Sequence, residues 1–206
     1  MENQHMNRTF KTRVFLMLAG NILMGFASSL FRISDFGTDP FTCMNLGASS
    51  TFHMQFGTYQ FLVNIIIFLF VLWKSKISIG LGTVVNMFGN GYISDFGVYL
   101  FTHNIATSDE LPTFVRVILM ILAVVLCSFA AAMYMEAAMG IAPYDAVAVI
   151  IENATHQRLS FKYARVITDV TCVIIGVSLG SVAGISTIIT ACFLGPLIQF
   201  FRNLIP

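Results

Sequence analysis

The stretch Gly37-Thr38-Asp39-Pro40-Phe41-Thr42 interrupts a long apolar sequence with a glycine, an acid and a proline. A related stretch, Gly140-Ile141-Ala142-Pro143-Tyr144-Asp145, follows with its glycine and proline each shifted by 103 residues, half of the 206-residue chain. Proline lacks a backbone N–H group and is favoured at the first position of a helix. The two stretches therefore predict matching breaks, each followed by a short helix, in two related halves of the chain.

The composition predicts a membrane protein. Hydrophobic residues make up 57% of the chain and charged residues 10%, whereas about 25% of residues are charged in a soluble domain. This deficit of charge indicates a multispanning protein whose main partner is the lipid bilayer. The net charge of +1, without a lysine or arginine cluster, argues against nucleic acid as a partner.

No motif of enzyme chemistry is visible in the sequence. It contains no recognisable Ser/His/Asp set, metalloprotease helix, phosphate-binding loop or dinucleotide fingerprint. The four cysteines stand alone in apolar surroundings, which predicts small buried side chains rather than a metal or redox site. We therefore expect no cofactor, no metal and no enzymatic activity.

The apolar pattern predicts an all-α membrane protein with six transmembrane helices and two short helices. The predicted spans lie near residues 14–33, 57–73, 77–101, 113–134, 160–180 and 182–201. Between them lie two shorter, more polar segments at 41–56 and 144–157. Sixteen helical residues cover about 24 Å, less than the roughly 30 Å of a hydrocarbon core. These two segments therefore predict re-entrant or broken helices.

The chain divides into two repeats of three spans each. Residues 1–102 form the first repeat, 103–112 a polar linker, and 113–206 the second repeat. After a one-residue insertion the correspondence continues at a shift of 104, where Gly80 matches Gly184 and Gly91 matches Gly195. Breaks and small residues that keep register over both halves indicate an internal duplication.

The basic residues predict the orientation. If the short segments do not cross the membrane, four groups of basic residues that flank spans fall on one side, which the positive-inside rule makes cytoplasmic. These groups are Arg8, Lys11, Arg13, Lys74, Lys76, Arg158, Lys162, Arg165 and Arg202. Both termini are then cytoplasmic, the linker is extracytoplasmic, and the odd number of spans makes the halves an inverted-topology repeat. The alternative is eight spans with parallel halves, in which both short segments cross.

Polar residues around the two breaks are the candidate site. Asp39 is placed to cap the first short helix, and Asp145 falls in the first turn of the second. Acidic groups at membrane depth are costly and are therefore candidates for function, although both could be helix caps alone. The candidate solute or ion path comprises Asp39, Pro40, Thr42, Asn86, Asn90, Pro143, Asp145, Arg165 and Asp169.

Several of these candidates have a structural alternative. Arg165 and Asp169 are four residues apart on one helical face, which predicts an ion pair, although Arg165 could also snorkel to the surface. Asn86 and Asn90 share a face and are expected to hydrogen-bond between helices. Asp95 and Glu136 lie near span ends, where solvation at the interface is expected.

The glycine and proline motifs resemble a known family. The Gly-x-x-Pro segments, Gly80-Leu81-Gly82-Thr83 with Gly91 and Asp95 further along, and Gly140 to Asp145 are similar to those of the YczE/YyaS/YitT-type bacterial integral membrane proteins. The resemblance covers about residues 20–200. It implies a bacterial cytoplasmic-membrane location and carries over no catalytic residue or assigned activity.

The pattern favours a small secondary transporter or channel-like protein for a small solute or ion. One alternative is a substrate-binding membrane module that needs an energising partner protein. Another is a membrane scaffold or regulator that transports nothing. A homo-oligomer is compatible with each of these alternatives.

Overall fold

The protein is all-helical throughout the part of the chain that the structure, a computed structural model, describes: residues 9–74, 79–155, 158–159 and 161–205. The predicted basic positions Arg8 and Lys76 lie outside these residues. The described helices are α1 (Phe10–Ser34), α2 (Pro40–Thr51), α3 (Phe56–Lys74), α4 (Leu81–Asn104), α5 (Thr113–Glu136), α6 (Pro143–Ala154), α7 (Phe161–Ser178) and α8 (Ile185–Leu204), with a 3₁₀ turn at Ser108–Glu110. The predicted all-α class is confirmed.

Four of these helices, α1, α3, α5 and α8, are long and apolar enough to cross a membrane. Helices α4, with 24 residues, and α7, with 18, have comparable lengths. Both are more polar, since α4 carries Asn86 and Asn90 and α7 carries Arg165 and Asp169. Helices α2 and α6 have 12 residues each, about 18 Å, which is too short to span a hydrocarbon core alone.

Helices α1 and α5 begin the two halves and pack antiparallel. Near the start of α1, Arg13 donates through Nε to the carbonyl of Ala137 at 2.9 Å, just past the end of α5. Near the start of α5, Arg116 donates to the carbonyl of Ser34 at 2.9 Å and pairs with Asp35 at 2.8 Å. A cation at a helix C-terminus binds otherwise unpaired carbonyls and opposes the negative end of the helix dipole. Each helix therefore caps the end of the other.

The loops that follow α1 and α5 also make equivalent contacts in the opposite half. The backbone N–H of Ser186, at the start of α8, donates to the carbonyl of Phe36 at 3.0 Å, and Gly82 in α4 donates to Met139 at 2.8 Å. Gly37 and Gly140 have φ of 93° and 103°, a left-handed conformation that favours glycine. A Cβ atom on Gly37 would lie 2.4 Å from the backbone nitrogen of Gly184, so the close approach also requires glycine.

Helix contacts occur in corresponding pairs, some within each half and some between the halves. Helix α1 packs on α4 as α5 packs on α8, and α2 packs on α7 as α6 packs on α3. The pairs α3–α4 and α7–α8 also correspond, as do α2–α3 and α6–α7. The sequence correspondence at shifts of 103 and 104 is therefore matched by a correspondence of packing.

An ion pair joins the first and last helix of each half. Arg32 of α1 binds Asp95 of α4 at 2.8 Å, and the other oxygen of Asp95 accepts from the backbone N–H of Gly57 at 2.7 Å. In the second half, Arg202 of α8 binds Glu136 of α5 at 2.8 Å. The expectation that Asp95 and Glu136 are solvated at the interface was wrong, because an arginine lies within reach of each carboxylate.

Candidate functional site

The two short helices begin next to each other in the interior. Phe41 and Tyr144, each the second residue of its helix, occupy equivalent positions and stack with ring centroids 4.5 Å apart and an interplanar angle of 19°. Pro40 and Pro143 are buried and begin α2 and α6. Because the two helices start at this contact, the positive ends of both helix dipoles meet there.

The carboxylates near the two helix starts have different partners. Asp39 is the N-cap of α2 and accepts from the backbone N–H of Thr42 at 3.1 Å, which confirms the predicted cap. Asp145, in the first turn of α6, accepts from the hydroxyl of Tyr134 and forms an ion pair with Arg165. The correspondence between the halves therefore lies in the backbone, while the acidic groups are arranged asymmetrically.

Arg165 is the centre of a buried charged cluster. Its guanidinium pairs with Asp145 and with Asp169, the latter at 3.2 Å between Nε and Oδ1. It also lies over the ring of Tyr144, 4.6 Å from the centroid, and the hydroxyl of Tyr144 donates to Asp169 at 2.5 Å. Three protein groups thus fix one guanidinium beside the start of α6, and the predicted Arg165–Asp169 ion pair is confirmed.

A small cavity lies on one side of this cluster. We call it the inner cavity; its volume is about 80 Å³. That is room for a few water molecules, since one needs about 10–15 Å³ by the same measure. Its polar lining groups are Ser28, Asp39, Thr42, Asn64, Asn86, Asn90, Tyr144, Asp145 and Arg165. Of these, Asn86 donates to Asn21 of α1 at 2.8 Å, which confirms its predicted interhelical hydrogen bond.

A larger cavity lies on the other side of the cluster. We call it the vestibule; its volume is about 680 Å³, within the roughly 300–1,000 Å³ typical of small-molecule sites. Its polar lining groups are Asp145, Arg165, Asp169, Thr190, Gln199 and Arg202. Exposed residues of α8, including Cys192 and Gly195, also line it, so the vestibule reaches the molecular surface. Arg165 and Asp145 line both cavities.

The vestibule distinguishes the second half from the first. A Cβ atom on Gly91 in α4 would lie 2.9 Å from the Cα atom of Gly57 in α3, whereas a Cβ atom on Gly195 would meet no atom within 4 Å. Phe88 of α4 packs its ring against that of Phe61 in α3, with the centroids 4.5 Å apart. The residue equivalent to Phe88 in α8 is Cys192. The α3–α4 seam is therefore closed where the corresponding α7–α8 seam is open.

The structure brings together most of the predicted site residues. Six of them line the inner cavity: Asp39, Thr42, Asn86, Asn90, Asp145 and Arg165. Asp169 lines the vestibule, while the two prolines line neither cavity. The prediction that all four cysteines are buried was wrong for Cys192, which is exposed, because the open seam leaves this face of α8 uncovered.

Sequence reasoning missed several residues of the site. Tyr134 lies within the apolar run of α5, where nothing in the local pattern marks it as a partner of Asp145. Arg202 was assigned only to the charged flank of a span, yet it lines the vestibule. Phe41 and Tyr144 are equivalent at the shift of 103 residues, and this correspondence was the available signal for their contact.

Comparison with known proteins identifies the family. The model of DUF6198, a family of unknown function, matches residues 11–203. The chain belongs to this family. It is 28% identical over 197 residues to an uncharacterized protein of Haemophilus influenzae, covering 95% of this chain and 85% of that one. It is 22% identical over 189 residues to the uncharacterized protein YyaS of Bacillus subtilis, covering 90% of each. No solved structure matches.

These matches confirm the resemblance to YyaS-type proteins. The DUF6198 match includes both glycine and proline stretches and every predicted site residue. Both relatives come from bacteria. Together with the four apolar helices, the family assignment describes a helical membrane protein with bacterial relatives.

Proposed function

We propose that this DUF6198 protein is a small secondary transporter of the bacterial cytoplasmic membrane, without enzymatic activity. In this proposal α1, α3, α4, α5, α7 and α8 cross the membrane, and α2 and α6 are re-entrant. The halves are inverted-topology repeats, both termini are cytoplasmic, and a small solute or ion passes the charged cluster around Arg165.

The antiparallel packing of α1 on α5 supports the inverted repeat. Equivalent helices of parallel repeats would run in the same direction, whereas Arg13 and Arg116 each cap the far end of the other helix. Inverted repeats with broken helices that meet at the site are common among secondary transporters. The end of the molecule that carries Arg13, Glu136 and Arg202 is then cytoplasmic, and the vestibule opens towards it.

Two cavities that meet at one ion pair are the main support for transport. The vestibule reaches the surface, the inner cavity lies among buried polar groups, and Asp145 and Arg165 line both. An intramembrane ion pair is costly unless it has a role or good partners. A solute could replace the contacts within this ion pair by its own charge or hydrogen bonds. It would then pass from one cavity to the other.

The open and closed seams support alternating access rather than a continuous channel. Closing α8 on α7 at Gly195 and opening α4 from α3 at Gly91 would exchange the conformations of the two halves. The vestibule would then face the opposite side of the membrane. In this proposal the structure is the inward-facing state.

Labelling of Cys192 tests the proposal. In a variant with the other three cysteines replaced by serine, a membrane-impermeant maleimide should label Cys192 in inside-out vesicles and not in right-side-out vesicles. Cys192 lies twelve residues before Leu204, the end of α8, about 18 Å along the helix. Labelling at that depth requires a water-filled path, because only the thiolate reacts.

A neighbouring position is the matched control. Phe193 is 59% exposed and does not line the vestibule, so Phe193→Cys together with Cys192→Ser should resist the reagent from both sides. The equivalent change in the first half, Phe88→Cys, should be labelled from the outside as the protein alternates. If Phe88→Cys is never labelled from outside while Cys192 is labelled from inside, the protein is a one-sided binding module or scaffold and not a transporter.

A further inference from the structure

We propose that the inner cavity binds a small monovalent metal cation, such as sodium, at Asp39 and Asn90. The inference deepens the proposed function, because a cation held there would be the coupling ion of the transporter. It rests on three features of the described residues: the balance of charge, the oxygen atoms that line the cavity and one buried acceptor without a partner.

The charges around the cavity do not balance. Asp145 and Asp169 share a single guanidinium, that of Arg165, and Asp39 is a third carboxylate, on the lining of the inner cavity. Asp39 forms no ion pair with any residue that the structure describes. The N-terminus of α2 turns only a partial positive charge towards Asp39, and a carboxylate removed from water without a full counter-charge is strongly unfavourable. A bound cation beside Asp39 would supply this counter-charge.

The lining of the cavity suits a hard cation. Carboxylate, amide and hydroxyl oxygens are available from Asp39, Asn64, Asn86, Asn90, Ser28 and Thr42, and oxygen ligands are those that hard metal cations prefer. The volume of about 80 Å³ accommodates one such ion with a few waters. A single unpaired carboxylate favours a monovalent ion, since calcium sites usually take several acidic ligands.

Asn90 provides an independent indication of a ligand. Its Oδ1 atom is buried and has no hydrogen-bond partner among the described residues, and Asn90 lines the inner cavity. A buried acceptor left unsatisfied costs free energy, so such atoms normally have a donor, a water or an ion beside them. A cation coordinated by Asn90 and Asp39 would satisfy this acceptor and neutralise the carboxylate at once.

The position of the inner cavity would link ion binding to the ion pair of Arg165 with Asp145. Arg165 and Asp145 are the charged residues that line both the inner cavity and the vestibule. Arg165 and a cation at Asp39 carry like charge, so the occupied cavity would favour the pairing of Arg165 with Asp145 and Asp169 on the vestibule side. An empty cavity would leave Asp39 to compete for the guanidinium.

Sodium binding to the purified full chain tests the inference without any transport. Unfolding is followed on heating in detergent, in sodium chloride and in choline chloride at equal ionic strength. Sodium should raise the unfolding midpoint by about 3 °C or more in a saturable manner, because a ligand that binds only the folded state stabilises it. Asp39→Asn should abolish the shift. The matched control Asp35→Asn, four residues away at an exposed ion pair with Arg116, should retain it.

A second variant keeps the test decisive if Asp39→Asn does not fold. Asn90→Ala should weaken the apparent sodium affinity about tenfold, the loss of one good ligand. Equal midpoints in sodium and choline would overturn the inference, as would a sodium shift that survives both variants. If low pH without sodium raises the unfolding midpoint, and Asp39→Asn abolishes this rise, the site binds a proton instead of a metal cation. Because Cys192 labelling is measured separately, a failure here leaves the proposed transport function intact.

Discussion

At the scale of single residues, Arg165 is the group on which the charged cluster depends. Arg165→Gln leaves Asp145 and Asp169 buried without a counter-charge, and breaking a buried pair in this way costs about 3 kcal/mol or more. For a chain of this length we expect the unfolding midpoint to fall by roughly 6–12 °C. Circular dichroism of the detergent-solubilised protein on heating would measure the change.

Double variants separate the lost ion pair from general damage. Adding Asp145→Asn to Arg165→Gln removes one of the two carboxylates left without a counter-charge. The double variant should therefore lose less free energy of unfolding than the two single variants together. Asp109→Asn in the exposed linker is the matched acid-to-amide control and should be neutral. Strict additivity of Asp145→Asn and Arg165→Gln would contradict the coupling that their ion pair implies.

At the scale of helices, Gly91 and Gly195 form a matched pair of equivalent positions in different surroundings. Gly91→Ala places a Cβ atom 2.6 Å from Gln60 and 2.9 Å from Gly57, which forces α4 away from α3 and should destabilise by about 1–3 kcal/mol. In Gly195→Ala the added Cβ atom has no described neighbour within 4 Å. The higher helix propensity of alanine should therefore leave stability unchanged or raise it by up to about 1 kcal/mol. Unfolding midpoints of the two variants give the comparison. Equal losses would show that the two seams are equally closed.

The arginines that cap α1 and α5 give a second prediction at this scale. Arg13→Gln and Arg116→Gln each remove a charge-assisted hydrogen bond to a helix end, at a cost of about 1–2 kcal/mol. The two sites lie near opposite ends of α1, since Arg13 and the Ser34 carbonyl that Arg116 binds are 21 residues, about 32 Å, apart along the helix. Their effects on the unfolding midpoint should therefore add. A cost much smaller for one arginine than for the other would mean that the two caps are not equivalent.

The helices themselves follow from local sequence, whereas the contacts between halves do not. Pro40 and Pro143 give the starts of α2 and α6 because proline fixes the first helical turn, and Asp39 is recognisable as a cap from its place before Pro40. The i, i+4 spacing of Arg165 and Asp169 likewise gives their pairing. Their link to Asp145 depends on how α6 packs on α7, which no spacing along one helix determines. Arg116, at the position equivalent to Arg13, was the overlooked signal that α1 and α5 cap each other.

At the scale of the whole molecule, single cysteines at three positions test the number of membrane crossings. Thr9 precedes α1, Lys74 ends α3 and Ser108 lies in the linker. With six spans, Thr9 and Lys74 lie on the same side, because α1 and α3 cross and α2 does not. With eight spans they lie on opposite sides.

Impermeant-maleimide labelling of Thr9→Cys, Lys74→Cys and Ser108→Cys in intact cells and in inside-out vesicles should find the first two cytoplasmic and the third outside. Labelling of Lys74→Cys in intact cells would overturn the six-span inverted repeat, and with it the cytoplasmic opening of the vestibule.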